Sequence, residues 1–99
     1  MARAGYSREE AEATAISALG FIAGDAELLP RFLAVTGIEA ASIREAAREP
    51  GFLVGVLDFL LAHEPSLMRF AAESGADPAS IAEARRILAN GDDRFEGSI

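Results

Sequence analysis

Residues 31–48 recur at 69–86. Sliding the chain by 38 positions lays Arg31-Phe32-Leu33-Ala34-Val35-Thr36-Gly37 on Arg69-Phe70-Ala71-Ala72-Glu73-Ser74-Gly75, and Ala41-Ser42-Ile43 on Ala79-Ser80-Ile81; ten of the eighteen positions are identical. Upstream, Leu19 and Phe21 match Leu57 and Phe59, and Leu29 matches Leu67. Each kept feature has a structural use: an aromatic anchor, a helix-stopping glycine, an acidic cap two residues on (Glu39, Asp77) and an inward isoleucine four beyond that. The pattern is helix, tight turn, helix. One such unit cannot cover its own apolar face, so the two must pack together.

Start and stop signals divide the chain into six helices. Ser7 with Glu10 forms a capping box before a helix whose inward side carries Ile16, Leu19, Ile22 and Ala23 and which stops at Gly24. Asp25 can cap a second helix with Leu29, Phe32, Leu33 and Thr36 on one face, in which Pro30 implies a distorted first turn or a start near Leu28, and Gly37 is a left-handed stop. A short third helix around Ile43, Ala46 and Ala47 closes before Pro50, which suits the first position of a fourth. From Phe52 to Ala62 the chain is apolar nearly all round except at Asp58, the mark of a buried central helix. Glu64-Pro65 opens a fifth, with Leu67, Phe70, Ala71 and Ser74 inward and Gly75 as its stop. Asp77-Pro78 opens a sixth, through Ile81, Ala84 and Leu88 to Asn90-Gly91, after which 92–99 lack periodicity and read as a flexible tail. The expected fold is all-α: a compact six-helix domain over 1–91, built of two similar three-helix units at 7–49 and 50–91.

Composition removes several functions. With 99 residues there is room for one core, and 51% hydrophobic residues suffice to fill it. No cysteine is present, which excludes disulfides, thiolate metal sites and cysteine nucleophiles. The first ten residues hold no apolar stretch, and the run from Phe52 to Ala62 falls short of the ~20 residues that span a bilayer, so a cytoplasmic protein is expected. Nine arginines and no lysine face sixteen acidic residues, a net charge of −7 that repels phosphate polyanions and acidic membrane surfaces.

The residues able to carry chemistry are few. Ala71, Gly75 and Ile81 fit the spacing of a helix-turn-helix, and Leu33, Gly37 and Ile43 fit it less well. The charges oppose that reading: residues 39–49 sum to −1, and over 77–90 Asp77 and Glu83 balance Arg85 and Arg86. His63 has Glu64 beside it and Asp58 five residues earlier, neither at the three- or four-residue spacing of a helical metal or acid–base site, so it reads as a polar residue at a helix junction. Asp58, a carboxylate on an apolar helix, calls for either exposure or a paired donor, with the repeated Arg31 and Arg69 as candidates. No glycine-rich phosphate loop occurs. Neither catalysis, nor a metal, nor a cofactor is expected.

The segments Ala18-Leu19-Gly20-Phe21-Ile22-Ala23-Gly24-Asp25, Arg31-Phe32-Leu33-Ala34-Val35-Thr36-Gly37-Ile38, Phe52-Leu53-Val54-Gly55-Val56-Leu57-Asp58-Phe59-Leu60-Leu61 and Phe70-Ala71-Ala72-Glu73-Ser74-Gly75-Ala76-Asp77-Pro78 resemble the family known as domain of unknown function 3572, short proteins of alphaproteobacteria. The resemblance covers most of 10–90 and implies a small, soluble, bacterial helical protein without assigned activity. The functional expectation is a non-enzymatic protein–protein interaction module, self-association as a homodimer included; the alternative is a helix-turn-helix-like DNA-associated regulator. Arg31, Asp58, His63 and Arg69 are the candidate interaction or buried polar residues, and Leu53, Leu61 and Phe95 the candidate surplus apolar surface. What diverges between the two copies is where function is to be sought.

Overall fold

A helix that is apolar on nearly every side has to be surrounded, and the segment after Pro50 is surrounded. The computed structural model describes the backbone of residues 7–97 and the side chains of 7–90. Its helices are α1 (Arg8–Ala23), α2 (Leu28–Thr36), α3 (Ile43–Ala46, preceded by a 3-10 turn at Ala40–Ser42), α4 (Pro50–Leu61), α5 (Glu64–Ser74) and α6 (Pro78–Gly97), with no strand among the described residues. Helices α1, α4 and α6 pack against one another, and α2 and α5 flank them. The fold is all-α.

The three central helices meet through Ala11, Ala15, Ala18, Leu19 and Ile22 of α1, Leu53, Val56, Leu57 and Leu60 of α4, and Ile81, Ala84 and Leu88 of α6, all buried. The inward stripe of α1 is alanine-rich, which lets the helices approach closely. Ile16, expected inside, is therefore displaced to the surface, with Ala15 in the core. Leu53, expected as surplus surface, is buried as well, and Leu61 is half-buried against the core. Phe95 lies outside the described side chains. The apolar side chains most exposed among the described residues are Val35, Met68 and Ile16.

Local signals place the helix ends. Ser7 Oγ accepts from the Glu10 amide at 3.1 Å while the Glu10 carboxylate accepts from the Ser7 amide at 3.0 Å. Asp25 Oδ1 accepts from the amides of Glu27 and Leu28, and Pro30 sits in the first turn of α2, where an amide would have no helical partner. Helix α6 runs to Gly97, past Asn90-Gly91, rather than giving way to an aperiodic tail. A lone glycine costs about 1 kcal/mol relative to alanine and does not by itself end a helix.

The two repeated turns share one geometry. Gly37 (φ 75°) and Gly75 (φ 79°) are left-handed caps whose amides donate to Leu33 and Ala71 carbonyls. Thr36 Oγ1 donates to the Phe32 carbonyl and accepts from the Ile38 amide; Ser74 Oγ does the same with Phe70 and Ala76. Thr36 and Ser74, expected on inner faces, are thus exposed and serve the turn. Beyond the turn the copies part: α3 has 4 residues and α6 has 20, and Ile81 is fully buried where Ile43 is half-buried.

The anchors cross over. Phe32 meets Phe59 (centroids 5.3 Å apart) and Phe52 of α4 edge-on, whereas Phe70 meets Phe21 of α1 at 5.4 Å. Phe32 corresponds to Phe70 and Phe59 to Phe21 at the offset of 38. The anchor in residues 7–49 therefore lies on α4, and the anchor in residues 50–91 lies on α1.

Only glycine occupies the left-handed region without cost. Gly37→Ala and Gly75→Ala are each expected to lower stability by about 1–2 kcal/mol, whereas Gly55→Ala, in mid-helix with nothing within 4 Å of an added Cβ, is neutral or stabilising by up to about 1 kcal/mol. Urea denaturation of the three variants checks this; equal losses at all three positions would contradict it.

Candidate functional site

A groove of about 470 Å³ runs between α2 and α4. Phe32 faces the core, which turns its neighbour Arg31 outward, and Val35 follows one helical turn later; both line the groove. Gly55, Asp58 and Phe59 supply the α4 wall at spacings of three and four, and His63 closes the end at the α4–α5 junction. Val35 is 73% exposed. The groove is an apolar trough with polar groups at its rim.

Its polar groups are differently engaged. Asp58 is held by Arg85 of α6 through two hydrogen bonds, Nε to Oδ1 at 2.7 Å and a second guanidinium nitrogen to Oδ2 at 3.3 Å. Neither Arg31 nor Arg69 pairs with it, contrary to the sequence-based candidates, because the α4–α6 packing brings Arg85 across the open side of α4. The pair is half exposed, and the Asp58 carboxylate raises the pKa of Arg85. His63 precedes the first residue of α5, and its Nδ1 shares a 2.6 Å hydrogen bond with Ser66 Oγ, a hydroxyl on a residue only 2% exposed. That contact satisfies a buried polar group and leaves the hydroxyl no access to a substrate. Arg31 makes no hydrogen bond or ion pair among the described residues.

Arg69, the fourth candidate, belongs to another place. It donates to Asp25 Oδ2 at 2.8 Å, tying α5 to the cap of α2, and its guanidinium lies 5.1 Å from the Phe21 ring centroid. The Arg69 hydrogen bond and then the two capping amides of Leu28 and Glu27 bring the Asp25 carboxyl down from 3.8 to about 2. Beside it is a smaller hollow of about 200 Å³ lined by Ser17, Phe21, Phe70, Glu73 and Ser74. Among the described residues, no group of three or more His, Asp or Glu side chains could hold a metal ion, and no single helix is long and apolar enough to cross a membrane.

The model of the family described as "Protein of unknown function (DUF3572)" matches residues 8–91. The chain belongs to that family. No curated protein and no solved structure matches it. The DUF3572 match begins at Arg8, the first residue of α1, and reaches Gly91 in α6, so it takes in α1, α4, α6 as far as Gly91, and the whole groove.

Structure brings three of the four candidate residues, Arg31, Asp58 and His63, to one groove. Val35, Gly55 and Phe59 are not among the candidate site residues; the last two are expected only as part of the buried central helix. A signal for Val35 and Gly55 exists in the offset of 38, where they face Glu73 and Ser17.

The lowered pKa of Asp25 fixes a sign. A carboxyl depressed in the folded state contributes stability that is present above the unfolded value and lost as pH falls through the folded one. Relative to Asp25→Asn, which keeps the capping oxygen but not the charge, the DUF3572 protein is expected to be more stable near pH 6. That advantage shrinks below about pH 4 and vanishes near pH 2. Thermal melts across this range read it directly; an advantage independent of pH would contradict it.

Proposed function

We propose that this DUF3572 protein is a non-enzymatic cytoplasmic interaction module whose α2/α4 groove seats an apolar segment of a protein partner. The observation that carries the reading is the trough itself: Val35 stands 73% exposed beside Phe59, and the space above Gly55 is open, so apolar surface is left uncovered where a neighbouring helix or strand would normally lie. The polar groups beside it are suited to binding. The one histidine is committed to Ser66, and Asp58 is neutralised by Arg85. Against DNA association stands the engagement of Arg85 with Asp58 and of Arg86 with Glu83, which leaves no unpaired arginine for phosphates among the described side chains of α6.

Position 35 provides the test. A photo-crosslinking phenylalanine analogue in place of Val35, expressed in the cells of origin, is expected to yield a discrete protein adduct. The adduct is absent when the analogue replaces Glu9 and is lost in the Gly55→Leu background, where the trough is filled. An adduct of twice the chain mass would identify the partner as a second copy. No adduct, or the same adducts from both positions, would sink the proposal.

A further inference from the structure

The two copies of the repeat build the same corner twice, and they build it with different charges. At the offset of 38, Arg69, Phe21 and Asp25 correspond to Arg31, Phe59 and His63. In the first corner the arginine lies over the phenylalanine and grips the carboxylate, 2.8 Å from nitrogen to oxygen. In the second, arginine, phenylalanine and histidine line the α2/α4 groove together, but the carboxylate position holds an imidazole that turns to Ser66. Arg31 is left without an ion pair among the described residues.

The walls differ in the same sense. Glu73 and Ser17 of the small hollow correspond to Val35 and Gly55 of the large groove. The hollow of the first corner is about 200 Å³ and has Glu73 and Ser17 on its walls; the groove of the second is more than twice as large, more apolar, and carries an unanswered cation. Asp58 does not answer it: both of its oxygens accept from Arg85, and neither pairs with Arg31. The protein as a whole bears −7, so a cation left open at an apolar trough runs against the surrounding field.

We infer that the groove recognises a peptide segment in which an Asp or Glu is flanked by apolar residues, its carboxylate taking on Arg31 the place that Asp25 takes on Arg69. The apolar neighbours lie along Val35, Gly55 and Phe59. This deepens the reading of the groove as a protein-docking site and rests on it. Complementary charge supplies the specificity, since a guanidinium against a carboxylate is a strong, directional contact, and the trough supplies the area.

Panning a phage-displayed library of random dodecapeptides on the full-length immobilised protein tests the inference. Enriched clones are expected to carry Asp or Glu between apolar residues. The best of them, synthesised with a fluorophore, is expected to lose at least about tenfold in affinity when its acid is replaced by the amide. The same loss is expected with Arg31→Ala, and with His63→Asp, which gives Arg31 a carboxylate within its own chain. Arg31 is exposed, so Arg31→Ala keeps the fold, and circular dichroism melts verify both variants. Enriched peptides without an acidic preference, or binding indifferent to Arg31→Ala and His63→Asp, would overturn this inference while leaving the docking groove in place. A library that yields no binder would overturn the docking reading itself.

Discussion

The burial of α4 organises the molecule. Its twelve residues are so uniformly apolar that no single face can be turned to water without loss, and four of them, Leu53, Val56, Leu57 and Leu60, lie in the core. Two long helices, α1 and α6, cover one side of α4, and Phe32 from α2 wedges between Phe52 and Phe59 on another. What remains uncovered is the strip of Gly55, Asp58 and Phe59 that forms the groove wall. The groove is thus the residue of an incomplete burial: the fold runs out of helix before it runs out of apolar surface.

The reciprocal packing of the anchors gives that strip a counterpart. Because Phe70 rests on Phe21 as Phe32 rests on Phe59, the molecule contains two comparable corners, one closed by the Arg69–Asp25 pair and one open at Arg31. The closed corner ties α5 to the α1–α2 junction. The open one lacks such a tie: Val35 for Glu73 and Gly55 for Ser17 remove polarity and bulk, and His63 for Asp25 removes the carboxylate. The anchors and turns are held in common, while the copies differ in the helix after the turn and in the walls of the corner.

Much of the fold was legible in the residues because its signals are local. The Ser7–Glu10 capping box, the Asp25 cap, the proline at the start of α4 and the glycines at 37 and 75 each act within one turn of chain, and the structure shows each doing so. Ile16 and the partner of Asp58 were not legible, because each is decided by which helices meet. The face of α1 that carries Ala11, Ala15 and Ala18 is the one turned to α4 and α6, which leaves Ile16 outside, and Arg85 reaches Asp58 from 27 residues away. The groove was half legible: Arg31, Asp58 and His63 stand out as polar exceptions in apolar surroundings, but Val35, Gly55 and Phe59 become meaningful only once α2 lies beside α4.

Native-state hydrogen exchange, resolved amide by amide, tests most directly whether α4 is the element on which the rest depends. The amides of Val56, Leu57 and Leu60 should exchange only through global unfolding, as slowly as those of Ile22 in α1 and Leu88 in α6, while those of α3 open locally and far faster. Exchange in α4 as fast as in α3 would contradict the account.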